Sequence, residues 1–277
     1  MELRHKYDLA ILLSCVKMPR SSFYFYVKQS GVRDKYLETK AAIQSLYHKH
    51  KGRLGYRRIT LLLRSQGQTI NHKTVLRLMR VLKLKSRIRV KKYRSYKGEQ
   101  GKIAPNVLSR AFKAETPNQK WATDVTEFNV SGKKLYLSPV IDLYNQEIIS
   151  YELSERPDFK SVMIMLDKAL KKIPASQPLL LHSDQGWQYQ MKQYQNVLQQ
   201  KGITQSMSRK GNCLDNAVIE NFFGTLKSEL FYLKKYDSII QLKKEIKNYI
   251  NYYNHDRIKL NLNGMSPVQY RAHHYKN

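Results

Sequence analysis

Apolar residues recur at helical spacing through the first third of the chain. Tyr36 to His50 reads as a helix with Leu37, Ala41, Ile43, Leu46 and Tyr47 as its apolar positions. Gly52 and Gly55 break it. Tyr56 to Ser65 reads as a second helix with Ile59, Leu62 and Leu63 inward, and Gly67 marks a turn. Asn71 suits the N-cap of a third helix carrying Val75, Leu78, Met79 and Leu82. Ahead of these, residues 5–30 suit a short helical hairpin in which Pro19-Arg20-Ser21-Ser22 turns into a run of aromatics. Two short helices, a glycine turn and a basic third helix suggest a helix-turn-helix. On the third helix Lys73, Arg77 and Arg80 share a face, where a recognition helix meets phosphates and base edges. Any basic amphipathic helix shows the same pattern.

From residue 119 the period shortens. Trp121–Val130 alternates as a strand, Ser131-Gly132-Lys133 is a turn, and Leu135–Tyr144 and Glu147–Leu153 continue an antiparallel meander. Asp158–Lys172 reads as a helix and Pro178–His182 as a short buried strand ending at Ser183-Asp184. Trp187–Lys201 reads as a helix and Thr204–Met207 as a brief strand. After a break at 209–212, Asp215 to about Leu230 and Ile239–Asn254 read as helices. Three strands, helix, strand, helix, strand, helix is the element order of a ribonuclease H-like fold. The predicted class is α/β: a mixed five-stranded sheet with helices, preceded by an all-α helix-turn-helix domain. The predicted units are an N-terminal helical segment (1–35), the helix-turn-helix (36–97), a linker (98–118), the catalytic core (119–232) and a C-terminal helical extension (233–277).

Charge sharpens this division. The chain has 277 residues, 50 Lys+Arg and 21 Asp+Glu, for a net charge of +29. Residues 1–110 hold 27 bases and 5 acids (+22), and the remainder 23 and 16 (+7). No acid occurs between Glu38 and Glu99, where 18 bases fall. A folded, acid-free, basic module is the footprint of nucleic-acid binding, although a solvated charged face gives a similar count. The 42% hydrophobic content argues against wholesale disorder. No run of 18 apolar residues predicts a membrane span, and no signal peptide is evident. Cys15 and Cys213 make neither a disulfide framework nor a cysteine-based zinc module, so a reduced cytoplasmic setting is expected.

In so basic a chain, an acid at the end of an apolar strand needs a reason. Asp124 lies in WATDVTEF, on one face with Ala122, Thr126 and Phe128. Asp184 ends LLLHSD, and Glu220 lies in DNAVIENFFGTLKSE. Each alone is equally a hydrogen-bonded core group, a loop cap or a solvated helix acid. Together, two strand ends and a helix can converge, and carboxylate oxygens select hard cations such as Mg²⁺ or Mn²⁺. Two such ions about 4 Å apart support phosphoryl transfer. Asp142, in VIDLY, is a further strand carboxylate that could approach. Trp121 and Trp187 flank the first two acids and suit the core, though either could stack on a base. The histidines form no metal-spaced set with either cysteine, and Cys213 suits a small packed side chain.

Between Asp124 and Asp184 lie 59 residues, and between Asp184 and Glu220 lie 35. With that spacing, WATDVTEF, HSDQGWQY and DNAVIENFFGTLKSEL resemble the three catalytic blocks of DDE transposases and retroviral integrases. SRKGNCLDNAVIENFFGTLK is most similar to the second-frame transposases of the insertion-sequence-three family. HKGRLGYRRITLLL and INHKTVLRLMR resemble that family's helix-turn-helix, and YYNHDRIKLNLNGMSPVQY its usual ending. The resemblance implies Asp124, Asp184 and Glu220 as catalytic and metal-binding. It implies Lys227, two helical turns beyond Glu220, as a DNA-phosphate contact. His182, Ser183, Gln185 and Asn216 match family-typical positions with supporting or DNA-positioning roles. Arg57 and Arg58 join Lys73, Arg77 and Arg80 as candidate DNA contacts.

The resemblance implies strand cleavage at insertion-sequence ends and strand transfer into target DNA, with two Mg²⁺ ions (Mn²⁺ as substitute). The implied partners are the terminal repeats, the target DNA, further copies of the chain in a synaptic complex, and an upstream-frame protein as fusion or partner. A nucleoid-associated location in the bacterial cytoplasm is expected. The competing expectation is a helix-turn-helix regulator whose ribonuclease H-like part is not catalytic. A structure-selective nuclease on the same fold would share the metals without needing the DNA-binding part.

Overall fold

A computed structural model of the chain describes residues 5–30, 34–86, 103–173, 177–210 and 212–276. The expected boundary at 97–98 and the side chain of Cys213 lie outside the described residues. Helices α1 (Leu9–Cys15) and α2 (Arg20–Ser30) form the expected N-terminal pair, with Asp8 capping α1 through the Ala10 N–H. Helices α3 (Leu37–Lys49), α4 (Tyr56–Ser65) and α5 (His72–Val81) enclose one apolar cluster. Ile43, Leu54, Ile59, Leu63 and Val75 are fully buried in it, whereas Leu37, an expected apolar position, is exposed. Asn71 caps α5 by accepting the Lys73 N–H at 2.8 Å. The chain leaves α3 through Gly52 at φ 71°, where a Cβ would stand 2.9 Å from the Tyr47 hydroxyl. Only glycine fits that turn without displacing the tyrosine, whose hydroxyl donates to the Lys85 carbonyl at 2.7 Å.

Six strands make one mixed sheet: β1 (Lys120–Thr123), β2 (Thr126–Val130), β3 (Lys133–Asp142), β4 (Ile148–Ser154), β5 (Leu179–Ser183) and β6 (Ile203–Met207). β3 pairs antiparallel with β1, β2 and β4, while β5 runs parallel to β1 and β6 parallel to β5. The single strand expected over 121–130 is therefore interrupted, at Asp124-Val125. Both halves keep one register against β3, Thr123 opposite Val140 and Thr126 opposite Leu137, which sets Pro139 opposite Asp124. Proline has no N–H to give the ladder. Thr123 instead donates its side-chain hydroxyl to the Pro139 carbonyl at 2.9 Å, and Asp124 is released from strand pairing. Taken as one bent strand, β1 and β2 restore the expected count of five.

Both faces of the sheet are covered. α6 (Phe159–Leu170) and α7 (Lys192–Gln200) pack on Trp121, Val140, Leu179 and Leu181. α8 (Ala217–Glu229) and α9 (Ile239–His255) pack on Ala122, Phe128, Leu137 and Ile141. Successive strand residues thus go to opposite cores, as the pleat requires. Three expectations are corrected. The helix expected over 187–201 is a 3-10 turn, Trp187–Gln190, then extended Met191, then α7. That turn buries Tyr189 and leaves Trp187 49% exposed, so Trp187 is not core. The helix expected from Asp215 begins at Ala217, after a 3-10 turn over Cys213–Asn216. Beyond the expected elements lies α10 (Pro267–His274), opened by a reciprocal Ser266–Gln269 capping box with proline at its first position.

The helical unit and the sheet meet at Glu229, at the end of α8. Arg257 forks onto its carboxylate at 2.7 and 2.9 Å, the Tyr249 hydroxyl donates at 2.9 Å, and Arg58 of α4 stands 3.9 Å away. Arg53 donates to the Glu229 carbonyl and lies over the Tyr249 and Tyr252 rings at 5.1 and 4.6 Å. Burial pushes the Glu229 carboxyl up, but Arg257 outweighs it and holds the group below the usual range. Its stabilisation is present above the ordinary carboxylate pKa and is lost as pH falls through the lowered value. Glu229→Gln strands buried cations, and it is expected to cost about 3–5 kcal/mol in urea denaturation at neutral pH. A loss below about 1 kcal/mol, the scale of an exposed pair, would contradict this role.

Candidate active site

The parallel pairing of β1 with β5 sets Ala122 opposite His182. Two residues further along each chain, just past the last paired residues, come Asp124 and Asp184, and the charge of Asp184 acts on Asp124. Adjacent strands lie about 4.8 Å apart, so the two carboxylates leave neighbouring strand ends side by side. Alternation sends both to the α8 face. Ala122 and Leu180 pack into that core, whereas Trp121 and Leu181 go to the other. Glu220 sits in the first turn of α8, which is fixed on the sheet by buried Ile219, Phe222, Phe223 and Leu226. Lys227 follows about two turns later on the same side.

The electrostatics tie these groups together. Burial pushes the Asp124 carboxyl well above its ordinary value, and the charges of Asp184 and Glu220 push it further. The Val125 N–H, 2.7 Å from Oδ1, and the Lys227 ammonium pull it back. Burial also raises Asp184, against a 2.9 Å hydrogen bond from the Gly186 N–H to its Oδ1. Lys227 lies 5.3 Å over the Phe128 ring; burial lowers its amine while Glu127 and Asp124 raise it. The Tyr189 hydroxyl is buried 3.5 Å from Thr123 Oγ1 and is raised by burial and by both aspartates.

Among the described residues, no three His, Cys, Asp or Glu side chains are gathered closely enough to hold a metal ion as they stand. The donor chemistry nevertheless fits a hard cation. Asp124 and Asp184 are side by side and partly open to solvent, and each gives only Oδ1 to a backbone N–H. Their mutual repulsion is the feature that a divalent cation relieves.

The supporting positions divide. His182 is fully buried, hydrogen-bonded through Nδ1 to Ser206 at 2.9 Å, and burial holds its imidazole down to about 4. Ser183 donates to the Asp184 carbonyl at 2.9 Å, and Gln185 donates to the Ser208 carbonyl at 3.0 Å. Asn216 is buried at the entry to α8 with neither side-chain polar atom bonded. Asp142 belongs elsewhere: it is fully buried, opposite Trp121 at the other end of β1, and bound to Arg271 at 2.6 Å. Lys73, Arg77, Arg80 and Arg57 are exposed on the helical unit, whereas Arg58 turns inward to Glu229. Sequence reasoning missed Tyr189 and Asp215. Asp215 is fully buried and takes hydrogen bonds from Arg209, Arg110 and Asn106, which fix the turn leading into α8; Arg209 above all, with Arg110, holds its carboxyl low. The signal was an acid inside the basic stretch SRKGNCLD.

Residues 114–213 and 220–275 match models of an integrase core domain, and residues 34–92 match an HTH-like domain. The chain is 58% identical to the protein named as the InsK transposase for insertion sequence element IS150 of Escherichia coli, over 99% of this chain and 97% of that one. The chain belongs to the insertion-sequence transposases. Within that family it is 54% identical to a transposase-like protein of Haemophilus influenzae, over 73% of this chain and 94% of that one. It is 30% identical to the InsF transposase for IS3A of Escherichia coli, over 96% of each. Asp124 and Asp184 of the transposase fall in the first integrase-core segment and Glu220 opens the second. Membership favours the enzyme over the regulator. Among the described residues no helix is long and apolar enough to cross a membrane.

A raised carboxylate stabilises the fold below its unfolded pKa, and that contribution is lost as pH rises through the raised value. The aspartates therefore cost stability at neutral pH. Asp184→Asn is expected to raise the melting temperature of the metal-free transposase at pH 7, by about 2–4 °C per kcal/mol relieved. Mg²⁺ is expected to raise it in the parent chain and to do so far less in the variant. An equal Mg²⁺ shift in both would contradict metal binding at Asp184.

Proposed function

We propose that this transposase cuts DNA at insertion-sequence ends and joins the freed strand ends to target DNA. In this reading Asp124, Asp184 and Glu220 hold two divalent ions, Mg²⁺ with Mn²⁺ as substitute. The observation that carries it is the register of β1 against β5, which sets two mutually repelling carboxylates side by side beneath the helix bearing Glu220. Bound ions supply Lewis acidity toward the phosphodiester and neutralise charge on the attacking and leaving oxygens. The chain does the positioning. Asp124 and Asp184 are carried at the ends of two paired strands, each held by one backbone N–H, Glu220 is placed by the buried face of α8, and Lys227 holds a phosphate oxygen beside them.

Tyr189, through Thr123, and Ser183, through the Asp184 carbonyl, brace this arrangement from behind, His182 and Gln185 tie the end of β5 to Ser206 and Ser208, and Asn216 supports the entry to α8. The helix-turn-helix unit (36–97) grips the duplex through Lys73, Arg77, Arg80 and Arg57, connected through a linker (98–118) to the core (119–232). The extension (233–277) braces α8 through α9, and the pair α1 and α2 lies in the leading segment (1–35). Joining both ends of an element to one target calls for more than one copy of the chain. An upstream-frame protein, as fusion or partner, completes the assembly in the bacterial cytoplasm, on the nucleoid.

Asp184→Asn is expected to reduce Mg²⁺-dependent nicking and joining of labelled element ends below detection while DNA binding stays near the parent value. Full activity in that variant would sink the assignment. Neutralising Arg77 or Arg80 is expected to lower the salt dependence of DNA binding by about one phosphate contact each. An unchanged salt slope in both would remove α5 from the DNA interface.

A further inference from the structure

We infer that a cavity behind α8 is a second phosphate site, taking a phosphodiester of the DNA backbone on the side of the helix away from the carboxylates. This rests on the DNA-transposition reading above. The cavity measures about 300 Å³ and is lined by Arg58 of α4, Arg257 and Lys259 from the segment after α9, Thr225 of α8, Gln146 and Asn261. Thr225 lies roughly 140° around α8 from Glu220, so the cavity and the carboxylates use different faces of one helix.

The cavity lining contains three basic side chains, Arg58, Arg257 and Lys259, and no carboxylate. Nearby, Glu229 is occupied by Arg257 on both oxygens and by the Tyr249 hydroxyl, with Arg58 more distant at 3.9 Å. Lys259 is 8% exposed and donates to the Tyr253 hydroxyl and to Gln146 Oε1, both at 2.6 Å. Among the described residues it has no carboxylate partner. Burial pushes its amine well below the ordinary value, and Arg257 and Arg58 push it further. Buried cations are stable only when paired. A bound anion would supply the partner that favours the charged amine, and the rim is open at exposed Leu260 and Asn261.

The charge comes from two units. Arg58 belongs to the helical unit whose outer face carries Arg57 and the α5 bases, and Arg257 and Lys259 belong to the part that packs on the catalytic sheet. A phosphodiester here would be held by both. That favours duplex DNA as the source of the phosphate, since one backbone can reach the helix-turn-helix face and this junction together.

The test is a salt titration of duplex binding by the full chain, without metal. Lys259→Gln removes a cation, and Asn261→Asp sets a competing carboxylate on the rim while leaving the buried contacts in place. Each variant is expected to reduce the slope of log K against log salt by about 0.9, one phosphate contact, for all duplex sequences alike. Circular dichroism is expected to match the parent; should Lys259→Gln unfold, Asn261→Asp decides. Parent slopes in the folded variants would overturn the site. So would an unchanged DNA slope combined with loss of thermal stabilisation by inorganic phosphate, which would mark a free-anion pocket. A parent chain that nicks element ends while the variants keep its slope removes the pocket alone. A parent chain that neither binds nor nicks DNA removes the transposition reading itself.

Discussion

Two carboxylates at adjacent ends of parallel strands repel one another, and a protein surround with few counter-charges strengthens that repulsion. The pairing of β1 with β5 sets this up: with Ala122 opposite His182, the two chains deliver Asp124 and Asp184 to neighbouring strand ends, where the charge of Asp184 acts on Asp124. Pro139 contributes by withdrawing a ladder hydrogen bond where Asp124 needs to leave the strand. The unfavourable contact persists because the remainder of the sheet over-determines it, with an apolar core on each face.

Five of the buried and half-buried acids sort into two kinds. Asp142, Asp215 and Glu229 are each nearly inaccessible and each bound by arginine: Arg271, Arg209 with Arg110, and Arg257. They are fasteners. Asp142 holds α10 to the sheet, Asp215 fixes the entry to α8, and Glu229 fixes its exit and the helical unit beyond. Asp124 and Asp184 have no arginine partner among the described residues and remain partly open to solvent. In a chain with 50 basic residues, leaving two clustered acids without arginine keeps their oxygens available to a cation. Fastening both ends of α8 sets where Glu220 and Lys227 stand over them.

Much of this was legible in the sequence. Period and punctuation gave the helical triplet, the meander and the last strands, because Gly52, Gly67 and Asn71 act locally. Their places at apolar strand ends and in a helix, together with the family resemblance of the motifs around them, singled out Asp124, Asp184 and Glu220. Less was legible wherever partners are distant in sequence. The break at Asp124 depends on Pro139, and the inward turn of Arg58 depends on Glu229, neither of which local periodicity reports. The 3-10 turn that exposes Trp187 follows from burying Tyr189 beside the aspartates. By contrast α10 carried a readable signal, Ser266-Pro267 followed by Gln269, that hydrophobic periodicity alone overlooked.

The central claim is that Asp124 and Asp184, with Glu220 above them, form one cation site. Anomalous diffraction from crystals of the full chain grown with Mn²⁺ tests it most directly. The expected result is a manganese peak within about 2.0–2.3 Å of carboxylate oxygens from both aspartates, of the order seen for hard cations on oxygen. A peak elsewhere, or well-ordered carboxylates without one at saturating Mn²⁺, would contradict the account.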